Sequence, residues 1–268
     1  MIDNMENIDI YRLNEEGTSL RKHQKHMLDM LCFVDKISRE NNIPYFLSGG
    51  TLLGAVRHKG FIPWDDDLDI VFLKKDLKRI HKILKSHLSD KYRLQANDTD
   101  ANYMAPYEKL RLLNTEIKET NTNDKYYKYK GIYIDLFFLE PAIPSCHKIS
   151  EYIQRVIMFF ANKIPAKNLI LKFLLRLIFL LSHKLFFPLL SFISSLLSKD
   201  MISYPLGSFF QTQFKKEWIF PLKEIEFENL KFYAPNNIDE VLKAQYGNYM
   251  EIPSKDKIKM HVLDVKYI

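Results

Sequence analysis

Four aspartates fall within five positions in the run Trp64-Asp65-Asp66-Asp67-Leu68-Asp69, and an apolar stretch follows them. In an extended chain, residues i and i+2 project to the same face. Asp67 and Asp69 therefore stand together, while Leu68 and Ile70 turn into a core. Two adjacent carboxylates repel unless a cation sits between them. Hard oxygen ligands suit Mg²⁺ or Mn²⁺, which keep coordination positions for substrate phosphates. Asp65 nominally shares that face in a supporting role, and Asp66 falls on the opposite one and reads as structural. A lone carboxylate, Asp135, lies inside the apolar run Gly131 to Leu139. Alone it could cap a turn or pair with an arginine; beside an existing carboxylate pair it reads as the third ligand of a two-ion site. Asp67, Asp69 and Asp135 are thus the candidate catalytic and metal residues.

Transfer of a phosphoryl group also needs close backbone approach and positive charge. Ser48-Gly49-Gly50-Thr51 reads as a strand end, a glycine turn and a helix start, where free N–H groups can meet a phosphate. Arg57, Lys109 and Arg111 are candidate phosphate contacts. His58 reads equally as a general base, a phosphate contact or a loop histidine. The chain has no Walker-type lysine loop, kinase catalytic loop, Gly-x-Ser-x-Gly elbow or zinc signature.

These residues need a scaffold, and hydrophobic spacing supplies one. A helix is predicted over 19–40, with Met27, Met30, Leu31, Val34 and Ile37 on one face. A short strand is expected at 45–47, a helix at 51–57, a strand at 68–72 and a helix at 75–87. Strands at 107–113 and 131–139 follow, and strands alternating with helices give an α/β or α+β core. From 149 to 199 the pattern is helical and rich in Leu, Ile and Phe. Leu169–Leu181 and Leu185–Leu197 stand out, separated by Ser182-His183-Lys184 and disturbed by Pro188, so neither reaches the roughly 20 apolar residues of a span. A buried helical subdomain, an interfacial amphipathic segment and a true span stand as competing readings, and Lys172 and Arg176 share one helical face. Mixed polarity returns after 201, with a short helix at 237–244. The expected organisation is a catalytic core at 1–145, an apolar helical subdomain at 146–200 and a C-terminal segment at 201–268 that completes the catalytic domain.

The 268 residues carry a net charge of +6, 47% hydrophobic and 13% aromatic residues. That composition supports a packed core and argues against disorder. Lysines are dispersed, with no arginine-rich arm, which favours phosphates or an anionic membrane over nucleic acid. Cys32 and Cys146 match no metal spacing, and Cys32 is expected as a small buried hydrophobe. The polar, acidic stretch Met1 to Glu6 lacks signal-peptide character, so a cytoplasmic protein is expected, with the inner membrane face as an alternative.

The stretch Ser48 to Asp69, SGGTLLGAVRHKGFIPWDDDLD, closely resembles the signature of the LicD family, which includes bacterial phosphorylcholine transferases and is related to fukutin-type transferases. The resemblance continues at Lys109-Leu-Arg111, Gly131-Ile-Tyr-Ile-Asp135, and Tyr246-Gly-Asn-Tyr-Met250 with Pro253. It implies a nucleotidyltransferase-type mixed β-sheet flanked by helices, with Gly49-Gly50, Asp67/Asp69 and Asp135 in that superfamily's motif positions. It also implies Mg²⁺ (or Mn²⁺), two ions, and transfer of a phospho-alcohol from a CDP-activated donor to a sugar hydroxyl of a cell-surface glycan precursor, with CMP leaving. A choline donor would need an aromatic pocket, for which Tyr126, Tyr127, Tyr129 and Tyr133 are candidates. Phosphoglycerol or phosphoribitol transfer, or a non-catalytic role in a glycan-assembly complex, are the alternatives. Such acceptors are often lipid-linked, which would give the apolar region a docking purpose.

Overall fold

A computed structural model describes residues 10–88, 90–119, 126–165, 167–254, 258, 260 and 262–268. The stretch Met1 to Glu6 lies outside them. The first long element is helix α1 (Ser19–Glu40), capped by the Thr18 side chain, which accepts from the Arg21 N–H at 3.1 Å. Its predicted apolar stripe is buried. After β1 (Tyr45–Leu47) come α2 (Gly49–His58), β2 (Asp69–Leu73), α3 (Lys74–His87), β3 (Tyr92–Gln95), β4 (Glu108–Leu112), β5 (Thr115–Glu119) and β6 (Tyr133–Leu139).

Five of these strands form one mixed sheet in the order β1-β2-β6-β4-β3. Only β2 and β6 run parallel; the other pairs are antiparallel. The fold is therefore α+β, with helices against a mixed sheet. Strand β6 sits at the centre and is buried at every position, which explains its continuous apolar sequence. Helices α1 and α3 cover one face of the sheet. Tyr45 donates to Asp35 of α1 at 2.6 Å, and His81 of α3 meets Glu108 of β4 at 2.7 Å. The opposite face carries the carboxylates.

Beyond the sheet lies α4 (Pro144–Lys163), followed by α5 (Leu169–Leu181), a π-helical turn (Ser182–Phe186) and α6 (Phe187–Leu197). The predicted break between the two apolar stretches does not occur. The last three run as one helix of 29 residues, Leu169–Leu197, long and apolar enough to cross a membrane. The widened turn ends two residues before Pro188. It accommodates the missing N–H and the ring, which would otherwise clash with an ordinary helical turn.

The C-terminal segment adds β7 (Met201–Ser203), β8 (Gln213–Lys215), α7 (Lys216–Ile219), the hairpin β9 (Lys223–Phe227) and β10 (Leu230–Ala234), α8 (Ile238–Tyr246) and β11 (Val262–Tyr267). Phe227, Phe232, Val241, Leu242 and Val262 join the same core as the main sheet. Strand β11 pairs with β5, and the turn of the hairpin places Glu228 and Asn229 at positive φ. Glu228 then accepts from Arg21 at 2.6 Å and from the Phe61 N–H at 3.1 Å, tying the hairpin to α1 and the loop before the acidic run. Cys146 is buried and Cys32 only half-buried, a departure from its expected burial, and both are free thiols.

Candidate active site

The pairing register assembles the site. Asp69 of β2 is the partner of Asp135 of β6, Asp135 of Lys109 of β4, and Lys109 of Gln95 of β3. Register partners share a sheet face, so four strands present Asp69, Asp135, Lys109 and Gln95 as one polar row. Asp67 precedes β2 by two residues in extended chain and faces the same cavity as Asp69 and Asp135. Leu68 and Ile70 are fully buried on the other side, as strand alternation requires.

The glycine pair has a definite steric reason. Gly49 has φ +57°, and a Cβ there would lie 2.5 Å from Asp69 Oδ2; a Cβ on Gly50 would lie 2.6 Å from Asp65 Oδ2. The start of α2 thus sits where two carboxylates occupy the space side chains would need. Asp65 belongs to the cluster more closely than its supporting role implied, since it shares a hydrogen bond with Asp67. Asp66 points away and accepts from the Val262 N–H at 2.7 Å, which anchors β11.

Burial pushes the Asp69 carboxyl well above its ordinary range, and the charges of Asp67 and Asp135 push it further, while Lys109 opposes them. Burial and Asp67 raise Asp65 in the same way. Asp135 is raised by burial and pulled back by Lys109, whose Nζ lies 2.7 Å from Asp135 Oδ1. Four carboxylates against one buried ammonium leave an excess of negative charge in a desolvated space. A divalent cation would relieve it, and the donors are of the hard oxygen type that Mg²⁺ and Mn²⁺ prefer. Among the described residues no three such side chains converge on one point as they stand. Asp135 is turned to Lys109, and Asp65 and Asp69 toward the glycine pair. The donor set therefore fits a hard cation in charge and chemistry, and ligation needs these carboxylates to rotate.

The other predicted residues separate into those at the cavity and those behind it. Lys109 lines the cavity, with its Nζ 3.3 Å from the centre of the Tyr133 ring. Arg111 does not face it. Its guanidinium is fully buried, donating to Gln95 Oε1 and the Gly131 carbonyl, each at 2.8 Å, so it braces the strands. Thr51 Oγ1 accepts from the Asp69 N–H at 2.8 Å and holds the backbone of a carboxylate. Ser48 Oγ meets the Tyr204 hydroxyl at 2.6 Å, and Gln245 donates to the same hydroxyl at 2.7 Å. Arg57 donates to the Tyr249 carbonyl at 3.1 Å and to His58 Nε2 at 3.0 Å. Arg57 thus engages the C-terminal loop at the far end of α2, with the His58 ring edge-on to Trp64, although the field of Asp65 still reaches Arg57.

The cavity beside the carboxylates measures about 250 Å³ and is rich in aromatic groups: Tyr103, Tyr107, Tyr127, Tyr133, Phe137 and Phe210. Of the four tyrosines expected as a cation pocket, Tyr127 and Tyr133 line it. Tyr126 lies in a neighbouring cavity under Lys172, and the Tyr129 ring lies against Lys128. Tyr103, Tyr107, Phe137 and Phe210 escaped the sequence reading, because each sits in a separate segment and only the fold gathers them. Tyr246 escaped as a site residue although its motif was noted; the charges of Asp69, Asp65 and Asp67 all act on its hydroxyl.

Residues 42–167 match the family described as LicD/FKTN/FKRP, nucleotidyltransferase domain. The chain is 28% identical over 273 aligned positions to the lipopolysaccharide cholinephosphotransferase LicD of Haemophilus influenzae, covering 93% of this chain and 98% of that one. Uncharacterized proteins of Rickettsia typhi and Rickettsia prowazekii are each 40% identical over 88 and 80 residues. Those matches cover 32% and 30% of this chain, and 26% and 27% of theirs.

Proposed function

We propose that this chain, which belongs to the LicD family, is a transferase that moves phosphocholine from CDP-choline to a sugar hydroxyl of a cell-surface glycan precursor, releasing CMP. The observation that carries the reading is the row Asp69–Asp135–Lys109, with Asp67 beside it, opening into an aromatic cavity. A trimethylammonium is held by aromatic faces rather than by hydrogen bonds, and the rings of Tyr107, Tyr127 and Phe137 offer that surface. The relative from Haemophilus influenzae, by its name a cholinephosphotransferase, supports the same alcohol.

Asp67, Asp69 and Asp135 would hold Mg²⁺ or Mn²⁺, as two ions, and the metal would supply charge neutralisation at the pyrophosphate and a lower pKa for the acceptor hydroxyl. The chain's own part is positioning. The acceptor oxygen bonds to the phosphorus that carries choline as the bond to the CMP oxygen breaks, and CMP leaves with that electron pair. The hydroxyl proton passes to a carboxylate of the cluster and on to solvent. Lys109 keeps Asp135 oriented and adds the one buried positive charge of the row. Tyr107, Tyr127 and Phe137 keep water away from the alcohol end, which favours transfer over hydrolysis.

CMP release from CDP-choline, CDP-glycerol and CDP-ribitol, measured with Mg²⁺ and acceptor glycan, tests the proposal. Release from CDP-choline above the other two is expected. Preference for either polyol donor would redirect the alcohol assignment, and silence with all three would remove the enzymatic reading.

A further inference from the structure

The helix Leu169–Leu197 is held along one side only. Leu175 and Phe179 pack with Ile157 and Met104, and directly after the π-helical segment Phe187 and Leu190 pack with Cys146 and Leu206. Arg176 donates to the Ala101 and Asn97 carbonyls, and His183 meets Gln154 at 3.0 Å. The opposite side is apolar and faces outward, with Ile170, Phe173, Ile178, Leu185 and Phe192 more exposed than not. Helix α4, which packs against both halves of this helix, also exposes Tyr152 and Phe159. Single exposed apolar residues are ordinary, but a continuous surface along 29 residues marks an interaction face.

Charge decides among the occupants. Between Tyr152 and Lys199 the chain carries seven lysines and arginines and no aspartate or glutamate. Arg176 is turned to the protein and Arg155 pairs with Glu151, which leaves Lys163, Lys167, Lys184 and Lys199 exposed beside the apolar face. An apolar face edged by lysines complements a surface that is apolar within and anionic at its edge. A helix that crossed the bilayer would drag the Arg176 and His183 contacts, and the domain they bind, into hydrocarbon. Anchored at both halves, it lies along the protein body.

We propose that this face docks flat on an anionic membrane, with the helix in the plane of the interface. The site cavity adjoins this helix: Met158 lines both it and a neighbouring pocket bordered by Leu169 and Phe173. Phe209 and Phe210 line the cavity of the carboxylates and are themselves exposed, and Met158 of α4 lines it from beneath. The docked enzyme would therefore take its acceptor hydroxyl from a molecule carried by the membrane. That consequence rests on the transferase reading, whereas docking does not.

Flotation of the full chain with phosphatidylglycerol-containing and pure phosphatidylcholine vesicles tests it. Binding to the anionic vesicles should exceed that to the zwitterionic ones roughly tenfold and weaken as salt rises from about 0.05 M to about 0.5 M. The double variant Ile178→Glu/Leu185→Glu should lose flotation while keeping its circular dichroism and its CMP release toward a water-soluble acceptor. Failure to float with anionic vesicles, together with a dimer that the same variant dissociates, would assign the face to a second copy and overturn the proposal. Resistance of the bound protein to alkaline carbonate extraction would mean a spanning helix, and overturn it equally. Absent CMP release with intact flotation would sink only the reaction.

Discussion

The sheet and the helix Leu169–Leu197 place their side chains in opposite ways. The sheet buries charge: Lys109, Arg111 and Asp135 are all nearly inaccessible. The helix exposes apolar surface along most of its length. Each departs from the ordinary rule of apolar inside and charge outside, and each does so against stability in water. In the sheet the compensation is internal, through register partners and the Arg111 bonds, and it is incomplete at the carboxylates. In the helix no described residue supplies it. Incomplete compensation therefore marks two places where something else is expected to bind, a cation and phosphates in the one, a lipid surface in the other.

The strongest way to break the comparison is at the carboxylates. Asp69→Asn should lower CMP release by more than about a hundredfold, which corresponds to about 3 kcal/mol of transition-state stabilisation. The metal-free variant should melt no lower than the parent, because the substitution removes a charge that burial already disfavours. Retained turnover would remove Asp69 from the machinery. A lower melting temperature would mean that the carboxylate supports the fold.

Arg111 should behave in the reverse manner. Arg111→Met strands Gln95 and the Gly131 carbonyl, and each buried unsatisfied group costs about 1–3 kcal/mol. A fall in chemical-denaturation stability of about 3 kcal/mol is expected, with the KM for the donor little changed in the protein that remains folded. A large rise in KM with unchanged stability would return Arg111 to the phosphate.

The sequence reading separated these roles only in part. Alternation made Asp67, Asp69 and Asp135 legible, because a carboxylate in an apolar strand has few reasons to be there. It also divided Asp65 from Asp66 correctly by face. It could not tell Lys109 from Arg111, which share a face on one strand. Only the depth of the row beneath the Tyr133 ring distinguishes them, and that depends on which strands flank β4. Strand β3 and the hairpin β9–β10 escaped because the first is four residues long and the second turns through Glu228-Asn229 rather than a glycine-bearing pair. Two apolar stretches were read where one helix runs, since sequence spacing does not reveal that a π-helical turn can carry a chain past proline.

Gly49→Ala sharpens the sheet side on a smaller scale. The new methyl meets Asp69 Oδ2, and φ +57° is costly for any residue with a side chain. A loss of about 1–3 kcal/mol in stability is expected, and turnover should fall at least tenfold because the carboxylate must move. Normal activity would show that the glycine serves the turn alone.

The pH dependence follows with its sign. Asp65, Asp69 and Asp135 have carboxyls raised in the fold above their unfolded values. At these three groups the folded state therefore binds protons that the unfolded state releases, and their contribution to stability is fully present below the unfolded carboxylate range. It is lost as pH rises through the raised folded values. The buried neutral histidines His23 and His183 act in the opposite sense over mildly acidic pH, so the cluster is read as a difference. From mildly acidic pH to neutrality the metal-free parent should lose more melting temperature, or gain less, than Asp69→Asn, and Mg²⁺ should raise the parent's neutral value most. A parent curve parallel to that of Asp69→Asn, or no response to Mg²⁺, would contradict the uncompensated cluster.

The smallest effect belongs to the helix and tests the other side of the comparison. Ile178 is 52% exposed and Leu185 64%, whereas Phe179, one residue from Ile178, is fully buried. Phe179→Ala should cost about 3–5 kcal/mol, as a large core truncation does. Ile178→Ser and Leu185→Ser, by contrast, should each stay within about 0.5 kcal/mol of the parent in aqueous buffer without vesicles. Near-silence at two large apolar residues in a helix that collapses when their neighbour is cut would show that the outward face contributes nothing to folding. A loss at Ile178 or Leu185 comparable to that at Phe179 would instead mean that the protein covers this face itself, and the contrast between buried charge and exposed apolar surface would no longer describe the molecule.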